Sequence, residues 1–267
     1  MKGKVLLGWL TRDEAVRYLQ QDCIFKPPLT DQEAEGLWAH KKEIVNALEP
    51  RAAPSPPKLD LTNEEKEGAR KFLQFMRKQP GGSKQILDVV KLDPRALVVH
   101  QLDVNLDRVN QYGKSVNTAT WCVKNCLAVD RTNAQVTVTV VQNGWNITVP
   151  HGEFMVGFDG QSFGIIQGAG HVSVSNVRDR VVLWAGYHRS YARAVNPDAM
   201  ERTVLAALTT EGFDAIPMNS VLRERFLGDR PALLGDFFDE RLFMAVQLHR
   251  KRYELRVRVD RAQVNAD

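Results

Sequence analysis

The hydrophobic period of this chain changes near Leu97, and that change limits the folds open to it. Before it, apolar residues recur at helical spacing: Ala15, Val16 and Leu19, then Leu37, Val45 and Leu48, then Ala69, Phe72, Leu73 and Met76. Each set follows a Thr-x-x-Glu start, at Thr11–Glu14, Thr30–Glu33 and Thr62–Glu65. In such a capping box the threonine hydroxyl takes an orphan helix amide while the glutamate reaches back to the threonine amide. After Leu97 the pattern is that of strands. Leu97–Val104 is extended, and Trp121–Val129 and Gln135–Gln142 are rich in Val, Thr and Trp. Asn143-Gly144 stands between VTVTVVQ and WNITV and predicts a two-residue hairpin, because a type I′ turn wants positive φ at both positions. Glycines at 152, 157, 160, 164, 168 and 170 punctuate the short strands that follow. Strands in such succession predict an antiparallel sheet or a partly closed barrel.

The expected fold class is therefore α+β. A helical N-terminal subdomain spans residues 1–51, and Pro27-Pro28 separates its first two helices. Ala52–Lys58, AAPSPPK, is a proline-rich linker, extended and semi-rigid. Residues 59–267 form an α+β domain with a central, mainly antiparallel sheet or partly closed barrel, a strand–turn–helix element around 180–221 and a basic C-terminal strand. Gly81-Gly82-Ser83 is a break within it. Asn196-Pro197-Asp198 ends the helix of the strand–turn–helix element. Ala199–Leu208 is expected to start another helix, Phe213–Met218 to return as a short strand, and Pro231–Glu240 to form a loop with a helical turn.

Composition narrows the function classes. At 267 residues, with 43% hydrophobic and 25% charged residues, the chain can bury a sizeable core. A net charge of +4 permits polyanionic partners without requiring them. Cys23, Cys122 and Cys126 cannot all pair internally, and no second cysteine pair completes a metal site around Cys122 and Cys126, so they read as buried thiols of a reducing compartment. No apolar run approaches the ~18–20 residues of a membrane span, and MKGKVLLGWLTRDE has too short an apolar run for a signal peptide. The expectation is a cytoplasmic, bacterial protein with no membrane partner. His100, His151 and His171 fall on separate predicted strands and read as structural. Asp236, Asp239 and Glu240 in LLGDFFDER read as a helix cap, with Asp236 at the N-cap, rather than as a metal site. The chain has no G-x-S-x-G elbow, Walker loop, H-E-x-x-H or paired C-x-x-C. No catalytic residue and no metal site are assigned.

Chemistry concentrates in Arg180–Val195, RVVLWAGYHRSYARAV. The apolar strand Val181–Ala185 runs into Gly186, and Tyr187-His188-Arg189 open a helix. A glycine lets the backbone approach a ligand, and the N–H groups and dipole of a helix start favour an anion. Arginine adds a fork of donors that matches phosphate, and histidine a donor that titrates. Gly186, Tyr187, His188 and Arg189 are the candidate phosphate-binding residues. GYHRSYA resembles the G-x-H-R-x-x-A turn of the ParB/sulfiredoxin-like fold, which includes partition proteins, sulfiredoxins and DGQHR-type proteins. The resemblance covers Val181–Val195 and extends to Ala215–Val221, AIPMNSV, where such proteins place a strand reading IPV. It implies that Gly186 is the turn glycine and that His188 and Arg189 face a nucleotide phosphate. Sulfiredoxins carry their catalytic cysteine directly before the histidine. Tyr187 stands there in this chain, so sulfinic-acid reduction is not implied. The second arginine motif and the helix-turn-helix of partition proteins have no counterpart here.

A second candidate is the C-terminal basic strip, with Arg250, Arg252, Arg256 and Arg258 as polyanion contacts. In YELRVRV, Leu255, Val257 and Val259 alternate with Glu254, Arg256 and Arg258, a half-exposed strand with one basic face. Tyr253 is its one ring, which is not the aromatic interleaving of a single-strand platform. Two functions follow. One is a nucleotide- or nucleic-acid-binding protein whose phosphate turn is Gly186–Arg189; the sequence names no cofactor, and a nucleotide with magnesium is what such a turn admits. The other is a non-enzymatic subunit that docks on protein partners through its helical and basic surfaces.

Overall fold

The structure, a computed structural model, describes residues 1–51, 58–77, 86–113, 137–141, 144–150, 154–158, 163–167, 172–177, 180–195, 204–209, 225, 227–249 and 252–258. The chain divides into two compact units, Met1–Ala128 with Gly170–His249 and Val129–Ala169 with Arg250–Asp267. Helices and sheets mix, as an α+β chain requires. Among the described strands no barrel closes: they form four open sheets.

The first unit begins with a strand where helix was expected. Strand β1 (Lys2–Val5) lies between β4 (Asp103–Asn105) and β12 (Met244–Gln247), antiparallel to both. A four-residue run has no period to read, and pairing partners a hundred and more residues away decide its state. Helices α1 (Arg12–Gln21), α2 (Asp31–Asn46) and α3 (Asn63–Arg77) follow. All three predicted capping boxes form. The Thr11, Thr30 and Thr62 amides donate to Glu14, Glu33 and Glu65 at 2.9, 2.8 and 2.7 Å. The glutamate amides return to the threonine hydroxyls at 3.3, 3.2 and 3.2 Å.

A five-stranded sheet makes the centre of this unit. It contains β2 (Ile86–Leu92), β3 (Val98–Val99), β9 (Ser173–Val177), β10 (Arg180–Ala185) and β11 (Val204–Thr209), in the order β2-β11-β9-β10-β3. β11 runs antiparallel to β2 and parallel to β9. β10 runs antiparallel to β9 and parallel to β3. The sheet is thus mixed. β11 also corrects the expected helix over Ala199–Leu208. A short apolar run such as VLAALT fits a helix or a buried strand equally, and the neighbours β2 and β9 settle it as a strand. Helices α4 (Leu106–Gly113) and α5 (Tyr187–Val195) complete the unit.

One core joins these parts. It takes Leu6, Trp9 and Val45 from the first fifty residues, Phe72 from α3, Leu183 from the sheet and Phe237 from the C-terminal stretch. Polar ties run the same way. Arg51 Nη1 lies 2.7 Å from both carboxylate oxygens of Asp236, and Lys41 Nζ donates to the carbonyls of Arg241 and Phe243 at 2.7 and 2.9 Å. The short 3-10 turn Leu7–Trp9 passes so close to α2 that a Cβ on Gly8 would sit 2.5 Å from the Lys41 carbonyl oxygen. Most of the linker Ala52–Lys58 lies outside the described residues.

The second unit holds β5 (Thr137–Val141), β6 (Gly144–Pro150) and β13 (Arg252–Arg258) in the antiparallel order β13-β6-β5, and the hairpin β7 (Phe154–Phe158) with β8 (Phe163–Gln167). β5 and β6 pair as predicted, but Val141 faces Gly144. Gly144 is therefore the first residue of β6, which starts one residue earlier than the Trp145 expected after an Asn143-Gly144 turn. The expected strands Trp121–Val129 and Phe213–Met218, and Ala215–Val221, lie outside the described residues.

Candidate phosphate turn and basic sheet

The strand–glycine–helix order forms at Gly186. β10 ends at Ala185, Gly186 has φ 84°, and α5 starts at Tyr187. This φ lies in the left-handed region, where a Cβ would be strained, so the glycine is what lets a strand bend directly into a helix. The Ser190 amide closes the first helical bond to the Gly186 carbonyl at 2.9 Å.

The side chains of Tyr187 and His188 bond within the fold. Tyr187 is 3% exposed. Its hydroxyl accepts the amides of His100 and Gln101 at 3.1 and 3.3 Å and donates to the Leu183 carbonyl. His100 Nδ1 lies against that same hydroxyl and 3.2 Å from the Leu183 carbonyl oxygen. The His100 ring packs against Trp184, with centroids 5.3 Å apart. Burial raises the Tyr187 phenol above its ordinary value, opposed by the two amides. Burial likewise lowers the His100 imidazole, opposed by the Leu183 carbonyl. His188 is half-buried, and its Nε2 accepts the Asn105 amide at 3.3 Å. Tyr187 and His188 thus hold the chain after β3 and the end of β4 against α5. Ser190 is fully buried, and its hydroxyl has no partner among the described residues. The Arg189 side chain lies outside the described residues.

The basic strand forms too. Pleating places Arg252, Glu254, Arg256 and Arg258 on one face of β13. Glu254 pairs with Thr148 and Arg256 with Asn146 on β6. These in turn face Thr137 and Thr139 on β5. The opposite face holds Tyr253, Leu255 and Val257 in register with Val149, Ile147 and Trp145, and Val138 and Val140 continue it on β5. In the register of this sheet, Arg, Glu, Thr and Asn positions thus alternate with Tyr, Leu, Val, Ile and Trp positions. Arg250 lies outside the described residues.

The other candidates resolve as follows. Cys23 is buried, and burial, with Asp22 and Asp103 adding to it, pushes its thiol up to about 12, which suits an inert core thiol. Cys122, Cys126, His151 and His171 lie outside the described residues. Among the described residues, no group of His, Cys, Asp or Glu could hold a metal ion. Asp236 is not an N-cap. Leu233 holds that position for the 3-10 turn Leu234–Phe238, and Asp236 sits inside the turn, reaching back to accept the Leu233 amide at 2.8 Å. Burial raises its carboxyl, opposed by that amide and by Arg51. Arg51, far away in sequence, is what diverts Asp236 from the expected role. No described helix is long and apolar enough to cross a membrane.

Sequence reasoning missed two charged sites. Lys91 and Glu65 form an ion pair at 3.2 Å with side chains 5% and 7% exposed. A lysine inside the apolar run ILDVVKL was the available signal. Lys4 lies 3.8 Å from the Phe243 ring centroid and donates to the Phe237 carbonyl at 2.7 Å. Burial lowers its amine, opposed by Glu240. No local pattern around KGKV announces that.

Comparison with known proteins finds no matching family model, no matching curated protein and no matching solved structure.

Proposed function

We propose that this chain binds nucleic acid through the arginine positions of β13 in the β13-β6-β5 sheet. The observation that carries the reading is the strand register. Arg252, Arg256 and Arg258 share one face with a single acid, Glu254, and the β6 positions opposite them are Pro150, Asn146 and Gly144. A row of arginines without acidic partners across the ladder suits phosphate, to which guanidinium donates two parallel hydrogen bonds. A phosphate role for the Gly186 turn is a separate proposal on the first unit. It rests on the backbone amides at the start of α5 and on Arg189, because Tyr187 and His188 spend polar atoms inside the fold. No catalytic step is assigned.

The test is fluorescence anisotropy with labelled DNA across a salt series. Each phosphate contact contributes about 0.9 to the slope of log affinity against log salt. Arg256→Gln with Arg258→Gln should lower that slope by about one to two and weaken binding alike on unrelated sequences. If the wild-type protein shows no salt-dependent binding near ~50 mM salt, the reading fails and the basic face becomes a protein-docking surface.

A further inference from the structure

We infer that His188 makes the joint between α4 and α5 an acid-sensitive latch, held closed by the neutral imidazole and biased open by a proton. The geometry of Asn105 carries this. Its backbone amide donates to His188 Nε2 at 3.3 Å. A backbone amide can only donate, so Nε2 is the acceptor and the proton of the neutral ring sits on Nδ1. The Asn105 side chain serves the other helix. Its Oδ1 accepts the Asp107 and Arg108 amides at 3.0 and 3.2 Å and so caps the start of α4. One residue, only 7% exposed, thus holds α5 with its backbone and α4 with its side chain.

A proton on Nε2 turns the acceptor into a donor and sets two N–H groups against each other. The bond cannot survive that, and a buried amide without an acceptor is costly. The closed latch therefore excludes the proton, and the open one takes it up. His188 is half-buried rather than sealed in the core. Its surroundings act in the same direction. A helix start disfavours a cation. The elements packed against α5 carry Asp107 and Arg108 on α4, Asp103 on β4, Arg95 on the 3-10 turn Pro94–Ala96, Asp236 on the turn Leu234–Phe238 and Lys4 on β1. α5 itself has Arg189 and Arg193, and His100 lies against Tyr187. Cations outnumber acids in this set, and Asp236 is already paired with Arg51, so the neighbouring charges also keep the closed imidazole neutral. With an ordinary histidine value near ~6.5 in the open state, opening gains about twentyfold between about pH 7 and about pH 5.

The experiment is amide hydrogen exchange on the full chain by NMR, expressed as protection relative to the unfolded rate at each pH. The Asn105, Asp107 and Arg108 amides should be less protected than the Leu183 amide of the sheet at both pH values, and should lose about tenfold or more of their protection between about pH 7 and about pH 5. His188→Gln offers the Asn105 amide an acceptor that does not titrate, and should make that protection nearly independent of pH. Asn105 protection equal at the two pH values overturns the inference. So does Asn105 protection equal to that of Leu183, because the joint then opens only with the sheet. A loss that persists undiminished in His188→Gln belongs to His100 and overturns it too. If the variant does not fold, the imidazole nitrogen shifts of the wild-type chain decide: an unprotonated Nε2 at about pH 7 that titrates below ~6.5 upholds the latch, and a protonated Nε2 at about pH 7 or a midpoint at or above ~6.5 refutes it.

Discussion

Replacing Tyr187 by phenylalanine separates a ligand-facing turn from a structural one. The substitution keeps the ring in its buried site and removes only the hydroxyl. Three groups lose a partner: the His100 and Gln101 amides, bonded at 3.1 and 3.3 Å, and the Leu183 carbonyl. A buried donor left without an acceptor costs roughly 1–3 kcal/mol. His100 and Gln101 are only half-buried, and the Gln101 bond is long, so the low end of that range applies to each. The sum is about 2 kcal/mol. With a urea m-value of about 3 kcal/mol/M, the unfolding midpoint should fall by about 0.7 M. Hydrogen exchange localises the effect: the His100 and Gln101 amides should lose protection before the rest of the sheet. A midpoint change under ~0.2 M, with those two amides still protected, would refute the assignment of Tyr187 as the clasp between β3 and α5. A phosphate-facing hydroxyl would give the opposite pattern, weaker anion binding at unchanged stability.

Two further outcomes test the interior of the first unit. Lys91→Met leaves the Glu65 carboxylate buried without its 3.2 Å partner and should cost about 3–5 kcal/mol in urea unfolding, whereas Lys91→Met with Glu65→Gln, which removes the charge but keeps an acceptor for the Thr62 amide, should recover much of that loss; equal losses in the single and double variants would contradict it. The His100 imidazole is lowered by burial, so the unfolded chain binds more protons than the native one just below the ordinary histidine value. Stability should therefore fall as pH drops through about 6.5, and His100→Gln should flatten that part of the curve; an unchanged slope in the variant would sink the reasoning.

What could be read from the sequence was local chemistry. The capping boxes formed because each needs only residues three apart. The β10–Gly186–α5 turn formed because a glycine was required at one φ, and the Val/Thr alternation around residue 143 correctly paired β5 with β6. What could not be read depends on distant partners. VLAALT became a strand because β2 and β9 flank it. Lys2–Val5 became a strand because residues 103–105 and 244–247 pair with it. Tyr187 and His188 looked available for a ligand, and nothing in their spacing announced that residues near 100 and 105 would use their polar atoms. The basic strand was legible as alternation, but its uncharged surroundings emerged only from the register with β6.

That register sets the cations of β13 apart from those of the first unit. In the first unit, several cations are matched by internal acceptors. Arg51 has Asp236, Lys91 has Glu65 and Arg225 has Glu14. Lys41 and Arg230 donate to backbone carbonyls of Phe243 and Leu48. These cations tie the N-terminal helices, the sheet and the C-terminal stretch of the first unit together. On β13 the arrangement differs. Three arginines share a face with one glutamate, and the ladder neighbours of the arginines are proline, asparagine and glycine. Like charges in one row repel, and such a row persists at low cost only where solvent or a counter-anion screens it. The arginine row of β13 is where an external polyanion would relieve repulsion, so the salt dependence of DNA binding tests the proposal more directly than nucleotide affinity at the Gly186 turn.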